Sequence, residues 1–444
     1  MSFRFYRLTA YICDMSLQER DKAVIWHPFT HFKYSPDPIP IVKGEGIYLI
    51  SDQGKRYIDA ISSWWVNVHG HAHPYIAEKI YEQAKKLEQV IFAGFTHEPA
   101  ISLAERLLTI LPGSYSKIFY SDNGSTAVEV AIKMALQYWW NKSESNMKKK
   151  ILAFHHSYHG DTFGAMSVSD RSVFTMAFHD KLFEVIFIDT PTEDNIAGIK
   201  EIIQKNQAGI AGFIYEPLLQ GAGGMKMYDA GLLNQVLQTI KQNNIICIAD
   251  EVMTGFGRTG KLFASDYVEE KPDIICLSKG LTGGTLALGV TAVTEKIVGA
   301  FVSDDKLKTF FHGHSFTANP LACAAALASL DLLQKPKAVE QLKIICEANQ
   351  QFVHGLQQTN ADLGIKNIRQ LGTIIAFEIE KGKDEYLNNI SANITALALQ
   401  KGVYLRPLGN TIYIMPPYCI TIEQLQIVYI VMKEIITEIQ TPSS

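Results

Sequence analysis

The chain has 444 residues, of which 47% are hydrophobic and 19% are charged, and its formal net charge is −4. This length is sufficient for two domains, and this composition is typical of a well-packed globular enzyme. The sequence contains no large basic block and no run of about 18 apolar residues, so we expect neither a nucleic-acid partner nor a membrane-spanning segment.

The N-terminus and the cysteines both favour a cytoplasmic location. Residues 1–14 carry two arginines and a weak apolar patch, without the long apolar core of a signal peptide, so we interpret them as an extension. Met15 would serve as an alternative start, because a helix-like segment follows it. The six cysteines are scattered and form no C-x-x-C pair, which favours a reducing compartment over a disulfide scaffold.

A hairpin and then an alternation of strands and helices are predicted in the first three quarters of the chain. The hairpin covers 44–60, around an Asp-Gln-Gly turn. Short apolar strands are predicted at 117–121, 151–155, 184–189, 211–216, 245–250 and 273–278. Helices between them include 127–140 and 230–244. Because the strands are continuous apolar runs, we expect an α/β fold, with a mainly parallel sheet sandwiched by helices and ligands at the carboxyl ends of its strands.

The C-terminal region predicts a smaller α+β domain, to which the N-terminal hairpin also contributes. A helical pattern over 318–334 is followed by a second helix, short strands and a final helix. These strands are predicted at 373–380, 403–408 and 411–417. We divide the chain into an extension at 1–14, an N-terminal part of the small domain at 15–70, a large domain at 71–335 and a C-terminal part of the small domain at 336–444.

Asp250 and Lys279 are the strongest candidates for catalytic residues. Asp250 ends one predicted buried strand, and Lys279 follows the end of the next. A lysine amine can form a Schiff base with the aldehyde of pyridoxal 5′-phosphate (PLP), and an aspartate can keep the pyridinium nitrogen protonated. A lysine at a strand end is by itself more often a surface residue, so this hypothesis depends on the neighbouring motifs.

Two further segments after strands predict the rest of a cofactor site. Gly124 and Ser125 open a helix whose N–H groups can hold a phosphate, with an ordinary helix cap as the alternative. Thr126 and Glu129 have the spacing of a capping box. Tyr158, in the sequence Tyr-His-Gly-Asp, can stack on a pyridine ring, although such an aromatic is more often a hydrophobic plug.

Four other features are less specific. The G-x-G-x-x-G match at 255–260 does not directly follow its strand, so we regard it as coincidental. The alternating histidines at 69–73 lack an acid or cysteine cluster, so a structural role is favoured over a metal site. The pair Trp64–Trp65 can line an apolar substrate channel or pack in the core. Arg406 can bind a carboxylate bidentately, or it can be an ordinary exposed arginine.

Taken together, these motifs resemble the class III aminotransferases of PLP fold type I. The strongest matches are DEVMTGFGRTG (250–260) and LSKGLTGGTLALGV (277–290). Within this class, SSWWVNVHGHAHP (62–74) and LRPLGNTIYIMPPY (405–418) are similar to the branch that aminates 8-amino-7-oxononanoate in biotin biosynthesis. The resemblance extends from about Trp26 to Tyr418, so it covers nearly the whole chain.

The resemblance implies a PLP enzyme in which no residue binds a metal, and it implies a role for each candidate residue. It places PLP in the large domain, on the cofactor-binding residues Gly124, Ser125, Tyr158, Asp250, Val252, Lys279 and Ser315. Of these, Ser315 would reach the phosphate of the partner subunit, because this fold type builds shared active sites in a homodimer. It implies the substrate-binding residues Trp64, Trp65, Tyr158, Lys279, His314, Arg406 and Tyr413. Asp161 and Arg258 are further pocket candidates.

The implied reaction is a ping-pong transamination that converts 8-amino-7-oxononanoate to 7,8-diaminononanoate. We expect S-adenosylmethionine as the amino donor. Lysine stays open as a donor, because Phe29 replaces the usual tyrosine and His314–Ser315 replaces the usual Pro-Thr. An omega-aminotransferase for ornithine, 4-aminobutyrate or a diamine, a PLP aminomutase, and a non-catalytic PLP-binding module also stay open.

Overall fold

The computed structural model describes residues 15–143, 148–380 and 390–440, apart from the side chains of 360–362. The predicted extension at 1–14 lies outside the described residues. The strands are β1 Ile41–Glu45, β2 Tyr48–Ser51, β3 Arg56–Asp59, β4 Lys117–Ser121, β5 Lys150–Phe154, β6 Val185–Ile188, β7 Ile210–Tyr215, β8 Leu219–Gln220, β9 Lys226–Met227, β10 Ile246–Asp250, β11 Ile274–Leu277, β12 Gly289–Val293, β13 Ile365–Leu371, β14 Ile374–Ile379, β15 Val403–Tyr404 and β16 Thr411–Ile414.

The helices cover both faces of the central sheet and close the C-terminal region. The α-helices are α1 Leu17–Val24, α2 Pro74–Ala84, α3 Glu98–Ile110, α4 Gly124–Asn141, α5 Phe163–Val168, α6 Ile196–Asn206, α7 Ala230–Gln242, α8 Glu295–Gly299, α9 Pro320–Leu333, α10 Pro336–Leu363, α11 Ile390–Gln400 and α12 Ile422–Gln440. Short 3₁₀ helices lie at Met176–Lys181, Ala264–Tyr267, Lys279–Thr282 and Lys306–Lys308. A single turn at Ser62–Trp65 contains non-helical dihedral angles at Ser63 and Trp64.

A seven-stranded sheet forms the centre of the fold, in the order β4-β12-β11-β10-β7-β5-β6. The five strands from β11 to β6 are parallel to their neighbours, whereas β12 is antiparallel to both β4 and β11. The prediction of a mainly parallel α/β sheet is therefore confirmed. The strand β12 was not predicted, because its sequence GVTAV directly follows a glycine-rich segment that is typical of a loop.

Neighbouring residues of β10 pack on opposite faces of this sheet. Cys247 and Ala249 belong to one hydrophobic cluster together with α7, and Ile246 and Ile248 belong to another together with α4. Successive side chains of a strand alternate between faces, so a strand covered on both sides has to be apolar throughout. This explains why the predicted strands are continuous apolar runs.

Two smaller sheets contain residues from the two ends of the chain. β1, β2 and β3 form a sheet with β15, in which β15 is parallel to β3. β13, β14 and β16 form an antiparallel sheet. The strand predicted at 403–408 is shorter than expected and comprises only Val403–Tyr404. The predicted domain boundaries remain predictions.

Among the described residues, no helix has the length and apolar character needed to cross a lipid bilayer.

Candidate active site

The carboxyl edge of the central sheet carries a cavity of about 500 Å³. β10 ends at Asp250, and the parallel neighbour β11 ends at Leu277, shortly before Lys279. Adjacent parallel strands end at the same edge, which brings these two segments together although they are distant in sequence. The predicted site residues that line the cavity are Trp64, Trp65, Gly124, Ser125, Tyr158, Asp161, Asp250, Val252 and Lys279.

Lys279 stands in a conformation that directs its amine into the cavity. Its backbone has a φ of 46°, in the left-handed region, where the 3₁₀ helix begins. Its Nζ lies 4.7 Å from the ring centroid of Trp65. Burial lowers the pKa of Lys279 to about 8, although the carboxylates of Asp250 and Glu216 act in the opposite direction. The amine is therefore partly neutral near physiological pH, which is its nucleophilic form.

The Asp250 carboxylate is fixed by a buried histidine. Its Oδ2 lies 2.7 Å from His159 Nδ1, and its Oδ1 accepts a hydrogen bond of 3.0 Å from the Val252 N–H. The His159 side chain is fully buried, and its Nε2 has no hydrogen-bond partner within the described part of the chain. Sequence reasoning missed His159, although it stands inside the Tyr-His-Gly-Asp motif beside Tyr158.

The first turn of α4 lies against the cavity and begins one turn earlier than predicted. Asn123 is the N-cap, and its side chain accepts from the Thr126 N–H while Thr126 Oγ1 accepts from the Asn123 N–H. The capping box predicted at Thr126 and Glu129 is therefore wrong, because Asn123 already caps this helix. Glu129 instead accepts hydrogen bonds from the Gly164 and Ala165 N–H groups at the start of α5.

Tyr158 stands beside a second buried carboxyl group. Glu216 accepts hydrogen bonds from the Tyr158 N–H at 3.1 Å and from the Gly221 N–H at 2.9 Å. Burial raises the pKa of Glu216 to about 7. Burial and the neighbouring Asp161 raise the pKa of Tyr158, which keeps its phenol neutral. Glu216 was not predicted, because a carboxylate after a strand has no distinguishing pattern in the sequence.

Trp64 and Trp65 form an aromatic wall of the cavity. The Trp65 indole N–H donates to Tyr413 Oη at 2.9 Å. The guanidinium of Arg406 lies 4.7 Å from the ring centroid of Trp64, and the ring of Phe29 lies 5.4 Å from it. Arg406 and Tyr413 do not line the cavity themselves. They contact the two tryptophans that do.

Three further candidates lie outside the cavity lining. His314 Nδ1 is 3.6 Å from Asp122 Oδ2, next to the start of α4. Ser315 is exposed, and its carbonyl accepts from the Gln89 side chain. Arg258 is buried and donates to the carbonyls of Trp65 and Pro416, so it contacts the backbone of the aromatic wall rather than the cavity.

Two of the alternating histidines contact other side chains of the protein. His71 Nε2 lies 2.9 Å from Asp59 Oδ2, and His69 Nε2 lies 3.0 Å from Ser329 Oγ. In the described ranges, no group of three or more potential ligand side chains is arranged to hold a metal ion. The segment 255–260 forms turns and does not begin a helix, as expected if the motif match is coincidental.

The cavity fits a phosphorylated pyridine with an aldehyde. The first N–H groups of an α-helix lack intrahelical acceptors and favour an anion. A Cβ at Gly124 would lie 2.7 Å from Val252 Cγ1, so any larger residue there would displace Val252 from the cavity wall. Asp250 and Lys279 offer the carboxylate and the amine that the pyridinium nitrogen and the aldehyde require. The fold and the site together define a PLP-dependent enzyme of the α/β class.

The comparisons with known proteins identify the family. The family model "Aminotransferase class-III" matches residues 31–436. The adenosylmethionine-8-amino-7-oxononanoate aminotransferase of Synechococcus elongatus is 47% identical over 94% of this chain and 99% of its own length. The enzyme of the same name from Geobacter sulfurreducens is 40% identical, over 92% of this chain and 95% of its own length.

Solved structures agree with this assignment. The crystal structure of the adenosylmethionine-8-amino-7-oxononanoate aminotransferase of Methanocaldococcus jannaschii has a TM-score of 0.89 and 35% identity, and the match covers 95% of this chain and 98% of that one. An omega transaminase of Pseudomonas jessenii, in complex with PMP, has a TM-score of 0.88 and 26% identity, over 96% and 98% of the two chains. The chain belongs to the class III aminotransferases, and its cofactor is PLP.

Proposed function

We propose that the protein transfers an amino group to 8-amino-7-oxononanoate and forms 7,8-diaminononanoate, with S-adenosylmethionine as the donor. The names of the relatives support this proposal. The observation that carries it is the aromatic wall, in which Trp64 and Trp65 line the cavity and Arg406 packs on Trp64. An apolar chain with a terminal carboxylate matches two indoles backed by a guanidinium.

The catalytic roles follow from the same geometry. PLP, when bound, supplies an electron sink that stabilises negative charge on the reacting carbon. Lys279 Nζ would take a proton from the substrate carbon that carries the amino group and deliver it to the cofactor carbon derived from the aldehyde, for which a pKa of about 8 is suitable. Asp250, oriented by His159, would pair with the pyridinium nitrogen. Tyr158 and Val252 would pack against the PLP ring, and the start of α4 would hold its phosphate.

The aromatic wall of the cavity would bind the keto acid. Trp64 and Trp65 would flank its aliphatic chain in the cavity, and Tyr413 supports the Trp65 indole from outside the lining. Arg406, whose guanidinium packs on Trp64 outside the lining, would receive the carboxylate at the end of that chain. Phe29 and His314 would influence the choice of donor, because this chain differs there from the usual sequence of the branch. Phe29 packs between Trp64 and Phe174, with ring centroids 5.4 and 5.7 Å away, so its ring fills the position without a hydroxyl.

We also propose a homodimer with shared active sites and a cytoplasmic location. Ser315 would reach the phosphate in the partner subunit. This is supported by its exposure and by the exposed rings of Phe311 and Phe316 around it, which are 72% and 62% accessible. A protein interface covers such apolar surface. The described cysteines are free thiols, which suits a reducing compartment.

A half-reaction on purified, PLP-loaded protein tests this function. S-adenosylmethionine and lysine are added separately, and the visible absorbance of the cofactor is followed. We expect S-adenosylmethionine alone to bleach the band, and Lys279→Ala to show no bleaching with either donor. Bleaching by lysine alone would refute the proposed donor, and bleaching by neither would refute the proposed reaction.

A further inference from the structure

The chain makes an unusual turn between β3 and α2, at Ser62–Trp65, which we name the elbow. Ser62, Ser63 and Trp65 have φ values of 53°, 59° and 68°. Residues with a Cβ seldom adopt this left-handed region, and none of the three is glycine. Such a backbone persists only when surrounding contacts hold it in place, so each contact of the elbow is informative.

Asp59 makes the contacts that hold the start of the elbow. Its side chain is fully buried, at 0% exposure. Its Oδ1 accepts from the Ile61 N–H at 3.2 Å, and its Oδ2 accepts from the Ser63 N–H at 2.6 Å. His71 Nε2 lies 2.9 Å from the same Oδ2. The carboxylate therefore caps the N–H of Ile61, which precedes the elbow, and the N–H of Ser63 within it, and the imidazole fixes the orientation of the carboxylate.

Both ends of the elbow are attached to the segment after β16. Ser62 Oγ donates to the Met415 carbonyl at 2.8 Å, and Arg258 donates to the carbonyls of Trp65 and Pro416. The same segment follows Tyr413, which accepts from the Trp65 indole. These contacts anchor the first and last residues of the elbow, whereas Asp59 and His71 set the backbone direction at its start.

The elbow has a consequence for the two tryptophans. Consecutive residues of a strand point to opposite faces, and consecutive residues of a helix point about 100° apart. The left-handed turn instead allows Trp64 and Trp65 to line the same cavity. We infer that Asp59, oriented by His71, is a positioning residue that keeps both indoles in the cavity wall and thereby sets the affinity for the apolar chain of the substrate.

The substrate part of this inference rests on the proposed function. The test uses PLP-loaded enzyme and a series of straight-chain carboxylates from hexanoate to nonanoate, whose dissociation constants are measured by calorimetry. For the wild type, we expect affinity to increase by about three- to fourfold for each added CH₂, the factor for burying one methylene group. In Asp59→Ala and His71→Phe, this increment should fall to less than about twofold, because the indoles no longer flank the chain.

Conservative variants separate positioning from general stability. His71→Gln keeps an N–H donor near Nε2 and should restore the chain-length dependence that His71→Phe loses. Tyr429→Phe removes a different buried hydrogen bond, the one to Asn349 at 2.6 Å, and should leave the dependence unchanged. If Asp59→Ala does not fold, His71→Phe, His71→Gln and Asp59→Asn still test whether Asp59 and His71 position the indoles. A full wild-type increment in His71→Phe would overturn the inference.

Near-ultraviolet circular dichroism of the apoenzyme gives a readout that is independent of activity. Indoles held in a fixed, asymmetric environment contribute to this signal, so it should decrease in His71→Phe, where Trp64 and Trp65 lose their fixed positions, but not in His71→Gln or Tyr429→Phe. If the wild type binds the carboxylates without any chain-length dependence, the proposed substrate is wrong. The circular dichroism spectrum then still tests whether Asp59 and His71 position the indoles, because an unchanged spectrum in His71→Phe would refute this role.

Discussion

Replacing His159 by alanine should weaken both PLP binding and turnover. The change removes the 2.7 Å contact between His159 Nδ1 and Asp250 Oδ2. The hydrogen bond from the Val252 N–H to Asp250 Oδ1 remains. A hydrogen bond to a buried charged group contributes about 1.5–3 kcal/mol. Since about 1.4 kcal/mol corresponds to a factor of ten, we expect PLP affinity and kcat to decrease by about 10- to 100-fold.

The assay is a PLP titration of the apoenzyme, followed by kcat measured at saturating PLP. His159→Asn is the matched control, because its side-chain amide can donate from a position close to Nδ1, and it should recover most of the loss. PLP affinity and kcat within about twofold of the wild type in His159→Ala would refute the reasoning, because Asp250 would then hold its position without the imidazole.

Three further predictions test the remaining parts of the site. Because the pKa of Lys279 is lowered to about 8, the rate of PLP capture by the apoenzyme should rise with pH up to about 8 and then level off; a rate that is flat from pH 6 to 8 would contradict this. Gly124→Ala places a Cβ 2.7 Å from Val252 Cγ1 and should weaken PLP binding, measured by titration, whereas Gly355→Ala, where a Cβ meets nothing within 4 Å, should not. Arg406→Met should raise KM for the keto acid by about 100-fold without slowing the donor half-reaction, and an equal effect on both half-reactions would contradict its assignment.

The central sheet and the main site residues could be predicted because they depend on local patterns. Continuous apolar runs indicate strands buried on both faces, and the predicted strand at 117–121 coincides with β4. Residues that end parallel strands meet at one edge, which is why the sequence alone could pair Asp250 with Lys279. The antiparallel strand β12 was not predicted, because a short strand after a run of glycines has no distinguishing sequence pattern.

The residues that support the site could not be found in this way. His159 and Asp250 lie far apart in sequence, and only the meeting of two loops at one edge of the sheet brings them together. Glu216 contacts backbone N–H groups, which have no sequence signature. Arg258 was expected in the pocket but binds carbonyls behind the aromatic wall, because its stretch turns away from the strand end. Long-range packing decides such contacts.

The central claim is that Lys279 catalyses amino transfer to 8-amino-7-oxononanoate. The most direct measurement incubates PLP-loaded enzyme with this keto acid and S-adenosylmethionine, and quantifies 7,8-diaminononanoate by mass spectrometry. We predict that the wild type forms this product, and that Lys279→Ala forms none while retaining the fold by circular dichroism. Absence of product with the wild type, or undiminished product with Lys279→Ala, would contradict the account.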